Sequence, residues 1–323
     1  MRVMIYEGAG GVDIIHMRDV PTPVPGAEHI RVRVHATGLN RADLLQRRGN
    51  YPAPAGWPAN IPGMEYAGVV DVLGPGSSQW KVGDGVMGLV GGGAHAEMVV
   101  VHEAEAIAIP AGMGFTDAAA IPEAFLTAFD ALSTRAHITR GDRVLIHAVG
   151  SGIGTAATQV ARWLGASCVL GTSRTQSKLD RTLAYGLDVA INTANTPFRE
   201  QVNDPVNVIL DVLGGSAFAD NLAILAPLGR LILLGFLTGS ATTADLSPVL
   251  RKRLTVVGTV MRTRSHEERV ELVQEFAAKV LPAFSEKSLR PVVGAAFPMS
   301  ELGRAHELME RDEAFGKIIL NWD

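Results

Sequence analysis

The stretch from His147 to Ala166, HAVGSGIGTAATQVARWLGA, restricts the possible folds more than any other part of the chain. An apolar run, Arg143 to Ala148, leads into it, and the small residues Gly150, Ser151, Gly152 and Gly154 follow. Apolar residues then recur at Ala157, Val160, Ala161 and Leu164, which is helical spacing. A strand that passes through a tight glycine turn into a helix leaves backbone N–H groups unpaired at the helix start. That end attracts a pyrophosphate. Glycine turns serve many purposes, so the surroundings decide. Here a strand precedes, a helix follows, and a βαβ unit is expected around both. The motif is imperfect. It reads Ala148-x-x-Ser151-x-x-Gly154 in one register and Gly150-x-Gly152-x-x-Thr155 in another.

The same region sets the wider pattern. PEAFLTAFDALSTRA is helical, with Pro122 suited to a first turn. Strands are expected at Val144–Ile146, Ser167–Thr172, VAIN, NVILDVLGG and GRLILLGF. Between them lie helical stretches at Thr155–Leu164, TQSKLDRTLAYG (stopped by Gly186) and AFADNLAILAP. Strands alternating with helices predict a parallel sheet covered on both faces.

The flanks differ. Residues 1 to about 120 are β-rich, and HIRVRVHATGLN places Ile30, Val32 and Val34 on one face and Arg31, Arg33 and His35 on the other. YAGVVDVLGPG, VGDGVMGL and HAEMVVVHEAEAIAIP continue in short strands, suggesting a barrel-like fold. NYPAPAGWPANIPG is too rich in proline for anything but an extended loop. After residue 262, SHEERVELVQEFAAKVLPAF is a helix with Ser265 as its cap. The closing strand, FGKIILNWD, has no sheet of its own nearby and is expected to return to the first domain. The resulting division is 1–121 with 262–323, and an inserted 122–261.

Composition excludes several classes. The net charge is −4 and no strongly basic face shows, so no nucleic-acid partner is expected. Apolar runs fall short of the ~18 residues of a membrane helix, and the N-terminus lacks a secretory apolar block. The single cysteine, Cys168, cannot form an intramolecular disulfide, which fits a cytoplasmic location.

The second strand of the inserted domain indicates which dinucleotide binds. A site for NAD carries an acid about 20 residues beyond the glycines. Here that place holds Ser173, then Arg174, with Lys178 one turn further. An acid repels a 2′-phosphate, whereas a hydroxyl and two cations bind it through charge-assisted hydrogen bonds. Arg174 and Lys178 could instead be an ordinary solvated helix start, but cations there oppose the helix dipole. The expected cofactor is NADPH.

GLNRADLLQRRGNYP, IPGMEYAGVV, IPEAFLTAF, VLIHAVGSGIGTAATQVAR and NVILDVLGG together resemble the quinone oxidoreductase branch of the medium-chain dehydrogenase/reductase superfamily. That branch includes zeta-crystallin and the tumour-suppressor-induced quinone reductase-like proteins. The resemblance covers nearly the whole chain and implies an α/β fold, a GroES-like β-rich catalytic domain with an inserted Rossmann domain. Zinc enzymes of the superfamily place a Cys near residue 40 and a His in a Gly-His-Glu motif. Here Asn40 and Gly63-Met64-Glu65 stand in those places, and the nine histidines form no ligand cluster by spacing. His95 and His102 are expected at surface or core positions, and the enzyme is expected to be zinc-free.

The resemblance also implies residue roles. Asn40 would approach the nicotinamide, and Thr127 its carboxamide or ribose. Ser151, Gly152, Ile153 and Gly154 would meet the pyrophosphate, and Ser173, Arg174 and Lys178 the 2′-phosphate. Leu213, Gly235 and Phe236 would lie at the carboxyl edge of the sheet, and Phe315 and Lys317 would border the cofactor. Tyr51, in the proline-rich loop, would face the substrate and donate a hydrogen bond to its oxygen, or else pack on the prolines. Relatives place a Tyr after the Asn of VINY, where this chain has Thr193. The implied activity is zinc-free hydride transfer from NADPH to quinones, with Tyr51 and Asn40 as catalytic residues. An enoyl reductase acting on α,β-unsaturated carbonyls and a non-catalytic NADPH-binding redox sensor are the alternatives. The β-branched run RLTVVGTVM, at a sheet edge, is expected to pair two chains into a homodimer.

Overall fold

A computed structural model describes residues 1–322. The chain divides into two compact units, Met1–Leu126 with Met261–Asp323, and Thr127–Val260.

The first unit starts with an antiparallel pair, β1 (Arg2–Tyr6) and β2 (Ile15–Asp19). Its main sheet begins at β3 (His29–Leu39) and continues with β4 (Glu65–Leu73), β5 (Gly85–Leu89), β6 (Met98–His102) and β7 (Ile107–Ala108). Strand β3 shows the expected alternation: Ile30, Val32 and Val34 are buried, and Arg33 is exposed. The loop at 50–63 carries neither helix nor strand, as its prolines require.

In the second unit every strand pairing is parallel. The strands are β8 (Arg143–Ile146), β9 (Cys168–Ser173), β10 (Val189–Asn192), β11 (Val206–Asp211), β12 (Leu225–Leu233) and β13 (Thr255–Gly258). Their spatial order is β10-β9-β8-β11-β12-β13. Counted from the first strand of the unit, that is 3-2-1-4-5-6, the Rossmann order, with its topological switch between β8 and β11. A switch point leaves a crevice beyond the carboxyl ends of the strands, where ligands bind.

The structure departs from the sequence pattern in three places, two of them with clear causes. The expected helix AFADNLAILAP spans only Phe218–Ile224, and the chain turns directly into β12. Pro227 biases the preceding residue towards extended backbone, and Leu228 has φ 63°. The helix Pro122–Phe129 does not continue regularly but widens into a π turn over Asp130–Arg135. The run from Arg253 to Met261 is a strand only over Thr255–Gly258, because Arg253 ends the preceding helix in the left-handed region. Strand β13 is the outermost of its sheet, with Val256 and Val260 exposed.

The C-terminal return belongs to the first unit. The helix His266–Lys279 opens with a capping box, Ser265 accepting from Glu268 N and Glu268 accepting from Ser265 N. Strands β14 (Val293–Pro298) and β15 (Lys317–Asn321) follow. β15 joins the main sheet antiparallel to the Ala36–Leu39 end of β3, while the His29–Arg33 end of β3 pairs with β6. The return strand therefore has a sheet after all, the one that β3 begins. No helix among the described residues is long and apolar enough to cross a membrane.

Candidate active site

In the inserted unit the glycine turn follows β8. A Cβ at Gly154 would fall 2.5 Å from the carbonyl oxygens of both Ala148 and Val149, so only glycine lets this helix start so close to the strand end. Ala148 itself turns the chain at φ 51°. Ser151 caps the helix Gly152–Trp163 by accepting from Gly154 N at 3.1 Å. The N–H groups of Gly152 and Ile153, in its first turn, have no intrahelical acceptor. This is the geometry that binds a pyrophosphate.

Beside it sit the cations expected to bind a 2′-phosphate. A Cβ at Gly150 would lie 2.8 Å from Lys178 Cβ, so the lysine stem packs over the glycine turn. Ser173 ends β9 half-buried, its hydroxyl accepting from Thr175 N at 3.1 Å, and Arg174 next to it is exposed. Thr193 N donates to Ser173 O, so the residue standing where relatives have Tyr closes its backbone on this same strand end.

Leu213 and Phe236 are brought together across the ends of β11 and β12. Thr238 N donates to Leu213 O, and a Cβ at Gly214 would fall 2.6 Å from Phe236 Cδ1. Gly235 lies between β12 and Phe236, and Phe236 is exposed. Thr127 carries a buried hydroxyl oxygen with no hydrogen-bond partner among the described residues. A buried polar atom left unpaired is costly, and a carboxamide or ribose group would satisfy it. The donor set and the glycine cradle thus fit a dinucleotide.

A buried polar chain that sequence reasoning missed holds this platform. His147 Nδ1 lies 2.9 Å from Thr172 Oγ1, and its Nε2 lies 2.8 Å from Asn221 Oδ1. Asn221 donates to Asp211, which also accepts from the N–H groups of Leu213 and Gly214. Burial pushes the His147 pKa down, so the ring is neutral, donating from Nε2 to the amide oxygen and accepting at Nδ1. The chain ties the ends of β8, β9 and β11 together. Its only sequence signal was a histidine closing an apolar strand.

The first unit holds a different set. Asn40 follows β3 directly and is the N-cap of the helix Arg41–Arg47. Its side chain is turned into the protein: Nδ2 donates to Glu65 Oε1 at 2.9 Å, and Oδ1 accepts from Lys317 Nζ at 2.6 Å. Lys317 Nζ also lies 2.5 Å from Glu65 Oε1 and 3.4 Å from Leu39 O. Glu65 Oε2 accepts from Glu123 N at 2.8 Å. Gly38 makes room, since a Cβ there would fall 2.1 Å from Glu65 Oε1. Asp43 accepts from Asn40 N and Gly63 N, and burial raises its pKa to about 6. Lys317 and Phe315 are both buried. The ammonium spends its N–H groups inside its own unit, on Leu39 O, Asn40 and Glu65.

Glu123, in the first turn of the helix Pro122–Phe129, was not singled out by the sequence. Burial raises its carboxyl to about 7, against the pull of Lys317 and with added repulsion from Glu65 and Asp43. The helix start favours its carboxylate by only ~0.3–1 kcal/mol, too little to reverse this. Charge inside the apolar run IPEAFLTAF was the available signal.

Tyr51 lies half-buried in the proline-rich loop. The Arg262 guanidinium stands 4.7 Å from its ring centroid. Arg262 also donates to Tyr51 O at 3.1 Å, Gly91 O at 2.9 Å and Gln46 Oε1 at 3.0 Å, pinning the loop. Burial raises the Tyr51 phenol pKa. His95 is wholly buried, its ring nitrogens make no well-formed hydrogen bond with the described residues, and burial lowers its pKa to about 3.

These residues do not suit a zinc ion. Asn40 and Met64 replace a thiolate and an imidazole, and an ammonium, which has no free lone pair, is bonded to Asn40 and Glu65. Among the described residues no three of His, Cys, Asp and Glu form a group that could hold a metal.

A Rossmann sheet inserted between a GroES-like β domain and its returning strand defines a class of nicotinamide-dependent oxidoreductases. The family profile described as "Alcohol dehydrogenase GroES-like domain" matches residues 26–111, and that described as "Zinc-binding dehydrogenase" matches 152–278. The chain is 30% identical to the human synaptic vesicle membrane protein VAT-1 homolog, over 99% of its length and 86% of the relative's. The solved structure of Escherichia coli quinone oxidoreductase complexed with NADPH superposes with a TM-score of 0.90 at 25% identity, covering 99% of this chain and 100% of that one. That of CurK enoyl reductase superposes with a TM-score of 0.86 at 26% identity, covering 100% and 99%. The chain belongs to the medium-chain dehydrogenase/reductase superfamily, and it is an oxidoreductase with a nicotinamide-binding Rossmann domain.

Proposed function

We propose that the protein is an NADPH-dependent quinone oxidoreductase that works without a metal. The observation that supports this is the Lys317–Glu65–Asn40 cluster, in which an ammonium bonds Asn40, the residue standing where the zinc enzymes of the superfamily place a cysteine. Without a Lewis acid nothing stabilises the alkoxide of a simple alcohol. Quinones need less help, since their reduction gives a stabilised aromatic oxyanion.

In the inserted unit, Ser151, Gly152, Ile153 and Gly154 would hold the pyrophosphate and Ser173, Arg174 and Lys178 the 2′-phosphate. Thr127 would bond the nicotinamide carboxamide or ribose, with Leu213, Gly235 and Phe236 beside it. When bound, NADPH supplies hydride. In the first unit, Tyr51 would donate a hydrogen bond to the substrate oxygen, its loop fixed by Arg262. Asn40 would act through Lys317 and Glu65, since its side chain is bonded to them. Reduction of an α,β-unsaturated carbonyl is the second possibility, favoured by the similarity to CurK enoyl reductase.

The test is NADPH consumption with a panel of quinones, enones and ketones, before and after dialysis against a chelator. Quinones should be reduced fastest, at a rate the chelator leaves unchanged. Reduction of simple ketones that the chelator abolishes would overturn the proposal, and turnover of enones alone would transfer it to the enoyl reductases.

A further inference from the structure

Hydride transfer to an electron-poor carbonyl compound leaves an oxyanion, and something must protonate it. Three carboxyl groups of the first unit, Glu65, Asp43 and Glu123, lie within the field of one ammonium, Lys317, which bonds Glu65. Its N–H groups are spent on Glu65, Asn40 and the Leu39 carbonyl. Glu65 accepts on both oxygens, from Lys317 and Asn40 on one and from Glu123 N on the other. Asp43 likewise accepts on both, from Asn40 N and Gly63 N. Both are therefore anchored as acceptors. Glu123 is different. Its backbone is fixed to Glu65, no hydrogen bond or ion pair from the described residues holds its carboxyl group, and its side chain is only partly buried. It also lies within electrostatic reach of the Tyr51 phenol.

We propose that Glu123 is the acid that protonates the reduced substrate, with Glu65 and Lys317 as positioning residues. This rests on the reductase function proposed above. In the step, the Glu123 O–H bond breaks as a new O–H bond forms on the substrate oxygen, directly or through one water. The substrate gains two electrons and one hydrogen as hydride from NADPH, and its proton from Glu123. The carboxylate left behind is reloaded from solvent, which its partial exposure allows. An acid works best when its pKa lies near the operating pH. Burial and the neighbouring carboxylates Glu65 and Asp43 raise Glu123 to about 7, against the pull of Lys317. The Tyr51 phenol, itself raised by burial, completes the set of titratable groups facing it, and Arg262 lies over that phenol.

Two measurements test this. The first uses the cofactor-free protein: infrared difference spectra between pH 5 and 9 should show a protonated-carboxyl band lost with a midpoint near 7, absent from Glu123→Gln. A wild-type spectrum unchanged by that substitution overturns the proposal without any reference to turnover. The second is the single-turnover rate of NADPH oxidation by 1,4-naphthoquinone. The wild-type rate should fall about tenfold per pH unit above 7. Glu123→Gln should be at least tenfold slower at pH 6 and flat with pH, while Glu123→Asp restores the limb. A Glu123→Gln variant that turns over with the wild-type pH profile overturns the role of Glu123 and leaves the reductase function standing. A wild-type enzyme that titrates as expected but reduces neither quinones nor enones overturns both.

Discussion

Lys317 and Glu65 meet through a 2.5 Å contact between ammonium and carboxylate, both buried, on strands brought together only by the C-terminal return. Removing one partner of a buried pair leaves the other charge uncompensated, which costs about 3–5 kcal/mol. Lys317→Met and Glu65→Gln should each lower stability by that order, and the double variant by clearly less than their sum. Urea unfolding midpoints read this directly, and additive losses would show that the two do not act as a pair.

Much of this arrangement was legible in the sequence, and the illegible part has a physical reason. The period of two in β3, the apolar strands of the inserted unit and the Ser265 cap are local patterns, and each appears where its residues put it. The glycine turn was legible because Gly154 answers to its own neighbours, Ala148 and Val149. The roles of Lys317 and Glu123 were not, because they depend on partners 252 and 58 residues away along the chain. A lysine before an apolar strand looks like a strand end until β15 docks on β3.

Acid stability should depend on His95. The unfolded imidazole takes a proton near its ordinary 6.5, while burial holds the folded one to about 3. Its contribution is therefore full above pH 6.5 and is lost as pH falls towards 3. At ~1.36 kcal/mol per unit the loss reaches up to ~5 kcal/mol. Asp43 and Glu123, raised to about 6 and about 7, act in the opposite sense, their folded forms holding protons more tightly as pH falls. The difference between wild type and His95→Leu isolates the histidine. The variant should lose less stability between pH 6.5 and 3.5, and parallel curves would place the acid sensitivity elsewhere.

Tyr51 is held by Arg262 rather than by the prolines alone. If its hydroxyl bonds the substrate oxygen, Tyr51→Phe should lower kcat more than it raises the KM for NADPH. Loss of one such donor costs ~10²–10³ where water is excluded, and about tenfold is expected at a half-exposed loop. Unchanged kinetics with several quinones would leave Tyr51 a packing residue.

The outer edge of β13 offers unpaired backbone groups beside exposed Val256 and Val260. Such an edge pairs readily with another chain. We expect a homodimer at micromolar concentration by sedimentation, shifted towards monomer by Val256→Lys. A monomeric wild type would contradict it.

The most direct test of the proposed function is the ratio of kcat/KM for NADPH and NADH with a quinone acceptor. In the proposed assignment, backbone groups at Gly152 and Ile153 would serve either cofactor, whereas Ser173, Arg174 and Lys178 would distinguish the two by the 2′-phosphate. Hydrogen bonds to charged groups contribute roughly 1.5–3 kcal/mol, less when exposed, so two cations should favour NADPH by about one to three decades. Arg174→Ala with Lys178→Ala should remove that preference and leave NADH almost unaffected, and high salt should shrink it in the wild type. A wild-type preference for NADH, or an equal loss of both cofactors in the double variant, would contradict the assignment.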